Sequence, residues 1–73
     1  MSDNEQMQLD PQEAPEDWIN QEEFFRRAGV SAYTGRIALK ESGLKGRKRL
    51  SNRKPTYYDP AWIIVIQRWA LNH

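Results

Sequence analysis

The sequence predicts a mostly α fold with a small β-hairpin, of the α+β class, and three observations carry that expectation. Two capped segments with apolar faces are separated only by Gly29, Val30 and Ser31. A third apolar segment is opened by Asp59-Pro60 and carries tryptophans at helical spacing. Between them lies a base-rich stretch with turn residues, followed by Thr56, Tyr57 and Tyr58, residue types that favour strands. With 73 residues the chain holds one domain at most.

The first fifteen residues, "MSDNEQMQLDPQEAP", are polar and acidic, with Pro11 and Pro15 and no apolar period. Residues 1–16 therefore read as a disordered acidic tail, and 17–73 as the folded domain. Asn20 is a helix N-cap, with Glu23 three residues later where a capping box places its acid. "QEEFFRRAG" follows as a helix with Phe24, Phe25 and Ala28 on its apolar face and Gly29 as its stop. Ser31 caps a second helix running to about Ser42 and ended by Gly43. A glycine-containing link this short is the mark of a helix-turn-helix. Val30 is expected to plug the core at the turn, joined by Ile37, Leu39 and Leu44.

Two strands at about 47–50 and 55–58 would flank Ser51-Asn52 and form the hairpin, with Pro55 at a strand start or edge. Tyr57 and Tyr58 alternate, so one faces in and one out; the sequence leaves open which. Asp59 and Pro60 then open a final helix. Trp62, Val65, Ile66 and Trp69 recur at i, i+3, i+4 and i+7, a core stripe. Trp18, Phe24, Phe25, Trp62 and Trp69 read as core rather than as stacking platforms for bases. In so short a chain they are the main source of burial, at about 25 cal/mol per Å².

Charge is segregated. Residues 1–17 carry six acids and no base, net −6; residues 18–73 carry eleven bases against four acids, net +7. Six of those bases fall within Lys45–Lys54, without an acid among them. Such a loop repels itself unless an anion compensates it, which points to a polyanion partner rather than to a merely solvated loop. There is no cysteine, and the lone histidine is His73, so neither a disulfide nor a multi-ligand metal site is expected. No apolar run approaches the ~18 residues of a membrane span, and no secretory leader is recognisable. No nucleophile stands with a base, and no glycine-rich phosphate loop occurs. The expectation is a non-enzymatic cytoplasmic protein with no cofactor, no membrane and no small-molecule substrate.

The order of residues resembles the small winged helix-turn-helix proteins of the excisionase type, from phages and mobile elements. These are related to the DNA-binding domains of MerR-type regulators and of phage terminase small subunits. The resemblance rests on Ile19, Asn20, Glu23, "GVS" at Gly29–Ser31, Thr34, Gly43, Leu44, Arg49, Tyr58, Asp59 and Trp69, and covers about residues 18–71. Gly35 departs from it, standing where the family has an apolar β-branched residue. A mid-helix glycine costs about 1 kcal/mol relative to alanine. The base-rich loop is also longer than the family's wing.

The resemblance implies double-stranded DNA as partner, with the second helix in the major groove. Helical spacing puts Tyr33, Arg36 and Lys40 on one side of that helix. Arg36 has the planar fork that matches guanine O6 and N7. Tyr33 and Thr34 suit phosphate oxygens or a thymine methyl, Lys40 suits phosphate, and Ser31 joins the DNA-contacting set. The competing reading of this strip is a solvated helix face. Lys45, Arg47, Lys48, Arg49, Arg53 and Lys54 of the loop would follow an adjacent minor groove or the backbone, where arginine reads groove width more than base identity. The implied role is architectural and nucleoid-associated: binding repeated sites beside an attachment site, bending the DNA and steering a partner integrase toward excision, with self-association on DNA. A small transcription regulator of the same fold, and a protein-interaction module that inhibits a host factor, are the alternatives.

Overall fold

A computed structural model describes residues 13–73. The expected tail lies outside the described residues except for Glu13–Glu16. The elements run β1 (Ile19–Asn20), α1 (Gln21–Ala28), α2 (Ala32–Ser42), β2 (Tyr57–Tyr58), a 3₁₀ turn (Pro60–Trp62) and α3 (Ile63–Leu71). Among the described residues, three helices and a two-stranded antiparallel sheet make an α+β fold.

The helix ends follow local chemistry. The Asn20 side chain accepts the Glu23 N–H at 2.9 Å, satisfying one orphan donor of the first turn. The other half of the capping box does not form, because the Glu23 carboxylate turns forward to Arg26 and Arg27. Ser31 Oγ accepts the Thr34 N–H at 3.1 Å and starts α2. Gly29 (φ 74°) and Gly43 (φ 72°) close α1 and α2 in the left-handed region that suits glycine. Asp59 Oδ1 accepts the Ala61 N–H at 2.9 Å and opens the 3₁₀ turn, with Pro60 in its first position.

The sheet is not the expected hairpin. β2 pairs with β1 across nearly the whole domain, in the register Ile19↔Tyr58 and Asn20↔Tyr57. Of the hairpin anticipated at 47–50 and 55–58, one rung forms: Arg47 and Tyr57 exchange backbone hydrogen bonds of 2.9 and 2.7 Å. Beyond that rung, residues 49–56 have no strand pairing. On its other flank the loop meets the N-terminal segment. Glu13 bridges to Lys48 in parallel, and the Ala14 N–H donates to the Lys48 carbonyl at 2.9 Å. Ala14, within the segment expected as tail, is buried.

Phe24, Phe25, Ala28, Ala38, Leu39, Tyr58 and Ile66 form the core, with Ile19, Val30, Leu44, Trp62, Ile63 and Trp69 packed around them. Tyr58 is the tyrosine that faces in, its ring centroid 5.2 Å from that of Phe24. Trp18 and Trp62 meet edge-to-face at 5.0 Å, at the margin of this core rather than in it. Three expected core positions fall elsewhere, the half-buried Trp18 being one of them. Ile37 is half-buried and outside the cluster. Val65 is 38% exposed, whereas its neighbour Ile66 is fully buried. Consecutive helical residues are about 100° apart, so centring the buried face on Ile66 turns Val65 outward and brings Ile63 in.

Candidate nucleic-acid interface

α2 separates its faces sharply. Gly35, Ala38 and Leu39 are buried against the core. Tyr33 (71% exposed), Arg36 and Lys40 lie on the opposite strip, all in solvent. Ser31, though exposed, uses its hydroxyl as the cap, and Thr34 beside it is half-buried. The residues expected to line a groove-facing strip therefore do share one exposed helix face.

The six loop cations divide into two kinds. Lys45, Arg53 and Lys54 are exposed, and among the described residues none makes an ion pair. The other three are engaged with the chain itself. The Arg47 guanidinium lies over the Trp18 ring, 5.2 Å from its centroid. Lys48 Nζ donates to the Lys54 carbonyl at 2.8 Å, tying the two sides of the loop together. Arg49 is turned inward. Its guanidinium sits 4.0 Å from the Tyr57 ring centroid. Its Nη2 donates to three backbone carbonyls: Pro15 at 3.0 Å, Glu16 at 2.9 Å and Trp18 at 2.9 Å. Two hydrogens serve three acceptors, so at least one bond is shared. Expected as an outward contact, Arg49 is half-buried at the root of the loop.

Sequence reasoning missed the other half of this arrangement. Glu13 Oε2 accepts the Leu50 N–H at 2.9 Å. The acidic segment before Trp18 is thus a structural neighbour of the basic loop. Ala14-Pro15, a small apolar pair at the end of a polar run, is the one local hint of it.

Two glycines connect α2 to the loop. A Cβ at Gly35 would overlap the Phe25 ring, with Cζ at 2.8 Å. A Cβ at Gly46 would lie 2.6 Å from Tyr58 Cε1 and 2.7 Å from the Tyr57 carbonyl oxygen. The Phe25 and Tyr58 rings stack at 6.5 Å with an interplanar angle of 26°. A continuous path of close contacts therefore runs from the backbone of α2, through two rings, to the root of the cationic loop.

α3 carries a different surface. Ile64 (50% exposed), Val65 and Leu71 (86%) are uncovered, beside a shallow apolar groove between α3 and the Gly29-Val30 turn. Among the described residues, no group of His, Cys, Asp or Glu is placed to hold a metal, and no helix is long and apolar enough to cross a membrane. No known family model matches this chain, and no curated protein or solved structure matches it.

Proposed function

We propose that this chain is a winged helix-turn-helix protein that binds double-stranded DNA, with α2 as the recognition helix and the loop at 45–54 as the wing. The observation that carries the reading is the Gly35–Phe25–Tyr58–Gly46 path, because it fixes the cationic loop relative to the exposed strip of α2. Two separate basic elements recognise neighbouring grooves only if their spacing is set before binding; otherwise ordering them costs part of the contact energy. Arg36 takes the base-reading role; Tyr33, Thr34 and Lys40 take backbone positions; Lys45, Arg53 and Lys54 neutralise phosphates.

Within that class the excisionase role fits best: bending attachment-site DNA and directing an integrase toward excision. Bending a short site by 40–90° costs on the order of 1–6 kcal/mol. One domain that offers Arg36, Lys40, Lys45, Arg53 and Lys54 to the duplex calls for further copies or a protein partner to supply it. The uncovered Ile64, Val65 and Leu71 of α3 offer such a protein contact away from the α2 strip. The same surface suits a regulator that recruits a protein at a promoter.

The test is salt-dependent retardation of duplex DNA, followed by footprinting on DNA flanking the gene. Protection of spaced repeats beside an attachment site supports excision; protection of a promoter alone supports regulation. Arg36→Ala is expected to cost about 1–3 kcal/mol and to relax preference at one base position. Arg53→Ala and Lys54→Ala are each expected to lower the slope of log affinity against log salt by about 1, without changing preference. Wild-type affinity and preference in Arg36→Ala would remove α2 from the interface.

A further inference from the structure

The geometry points to a clasp between the N-terminal segment Glu13–Trp18 and Arg49 that holds the cationic loop in its binding shape, making Arg49 and Glu13 positioning residues rather than charges in the contact. This rests on the DNA-binding reading and adds how the wing of that site is preorganised.

The loop at 48–56 has almost no regular structure to hold it: one backbone rung at Arg47–Tyr57 and the Lys48–Lys54 cross-link. Apart from a local Lys54 N–H bond to Asn52 Oδ1 at 3.2 Å, the hydrogen bonds that reach it from remote described residues come from the segment Glu13–Trp18. Ala14 and Lys48 join through their backbones. The Glu13 carboxylate receives Leu50 N–H, the first backbone donor past the clasp. Arg49 fills the space between the Tyr57 ring and the carbonyls of Pro15, Glu16 and Trp18. Those carbonyls surround a turn closed by the Trp18 N–H to the Pro15 oxygen at 3.1 Å. The guanidinium meets both demands at once, its carbon over the ring and Nη2 at the carbonyls, while its buried Nε makes no hydrogen bond among the described residues. A lysine ammonium is a point charge on a flexible stem and does neither in the same way.

The consequence runs against simple electrostatics. Removing a carboxylate beside a basic loop ordinarily strengthens binding to a polyanion. Here it frees the Leu50 N–H and lets the loop spread, so binding weakens. Likewise Arg49→Lys keeps the charge and still loses the wing.

The experiment uses the full chain and two readouts: affinity for mixed-sequence duplex DNA at fixed salt, and hydrogen exchange of the Leu50 and Ala14 amides without DNA. In Glu13→Ala the Leu50 amide is expected to exchange faster while α1 amides stay protected, and duplex affinity to fall about three- to tenfold, the scale of one lost hydrogen bond. Arg49→Lys is expected to bind as weakly as Arg49→Ala. Tighter binding by Glu13→Ala, or wild-type binding by Arg49→Lys, overturns the clasp in favour of direct phosphate contact. If the wild type binds no duplex, the DNA reading fails on its own. The exchange data still judge the clasp: unchanged Leu50 exchange in Glu13→Ala overturns it.

Discussion

The ring of Phe25 in α1 occupies the space where a side chain at Gly35 in α2 would begin. The two helices approach here without a Cβ between them, and the buried ring goes on to stack with Tyr58. A glycine that looks like a defect in the helix when read locally is the condition for this packing.

Gly35→Ala accordingly sets two effects against each other. The helix gains about 1 kcal/mol of intrinsic propensity, but the added methyl overpacks a well-filled site at a cost of about 1–3 kcal/mol. A net loss of up to about 2 kcal/mol is expected, seen as a fall in Tm of up to roughly 15 °C. Combining it with Phe25→Leu should give less than the sum of the two single losses, since the pair shares one volume. A raised Tm in Gly35→Ala would show that the helices do not meet here.

The phase of α3 makes a paired prediction. Ile66 is fully buried and Val65 is not. Ile66→Ala is expected to cost about 2–5 kcal/mol, enough to unfold a domain of this size in moderate denaturant. Val65→Ala, at the surface, should stay within about 0.5 kcal/mol of wild type. Urea titration of the two variants decides, and equal losses would mean that both residues face the core.

Ser31 separates capping from DNA contact. Ser31→Ala removes the acceptor for the Thr34 N–H and should cost about 1 kcal/mol of stability. Ser31→Asp caps equally well, so thermal stability should be kept. Its added negative charge at the start of α2 should weaken duplex binding and leave the fold intact. Undiminished binding by Ser31→Asp would place the N-terminus of α2 away from phosphate.

Acid should act through Glu23. Its hydrogen bonds to Arg26, and then to Arg27, hold the carboxyl below its ordinary value of 4.5. A depressed folded pKa means that the associated stability is fully present above the ordinary value and is lost as pH falls through the lower folded one. Melting curves between neutral pH and strong acid should therefore decline less steeply in Glu23→Gln than in wild type. The ion pairs are exposed, so the difference should be small and should shrink further in high salt. Identical acid limbs for the two proteins would remove Glu23 as a contributor.

The helices were legible because their signals are local. Asn20, Ser31 and Asp59 each reach a backbone N–H two or three residues away, and Gly29 and Gly43 stop their helices through their own backbone angles. The exposed strip Tyr33, Arg36 and Lys40 followed from helical spacing alone. Short-range chemistry of this kind is written in adjacent letters, so the residue types suffice.

The rest depended on partners far apart in the chain. Tyr57 and Tyr58 alternate identically as letters; pairing with Ile19-Asn20 and contact with Phe24 turned Tyr58 inward. Arg49 reads as one more base in a basic run until the carbonyls of Pro15, Glu16 and Trp18 converge on it from more than thirty residues away. Gly35 and Val65 likewise took their places from what packs against them. A hydrogen bond or ring contact needs two groups at a set distance, and distance between remote residues exists only once the chain has closed on itself.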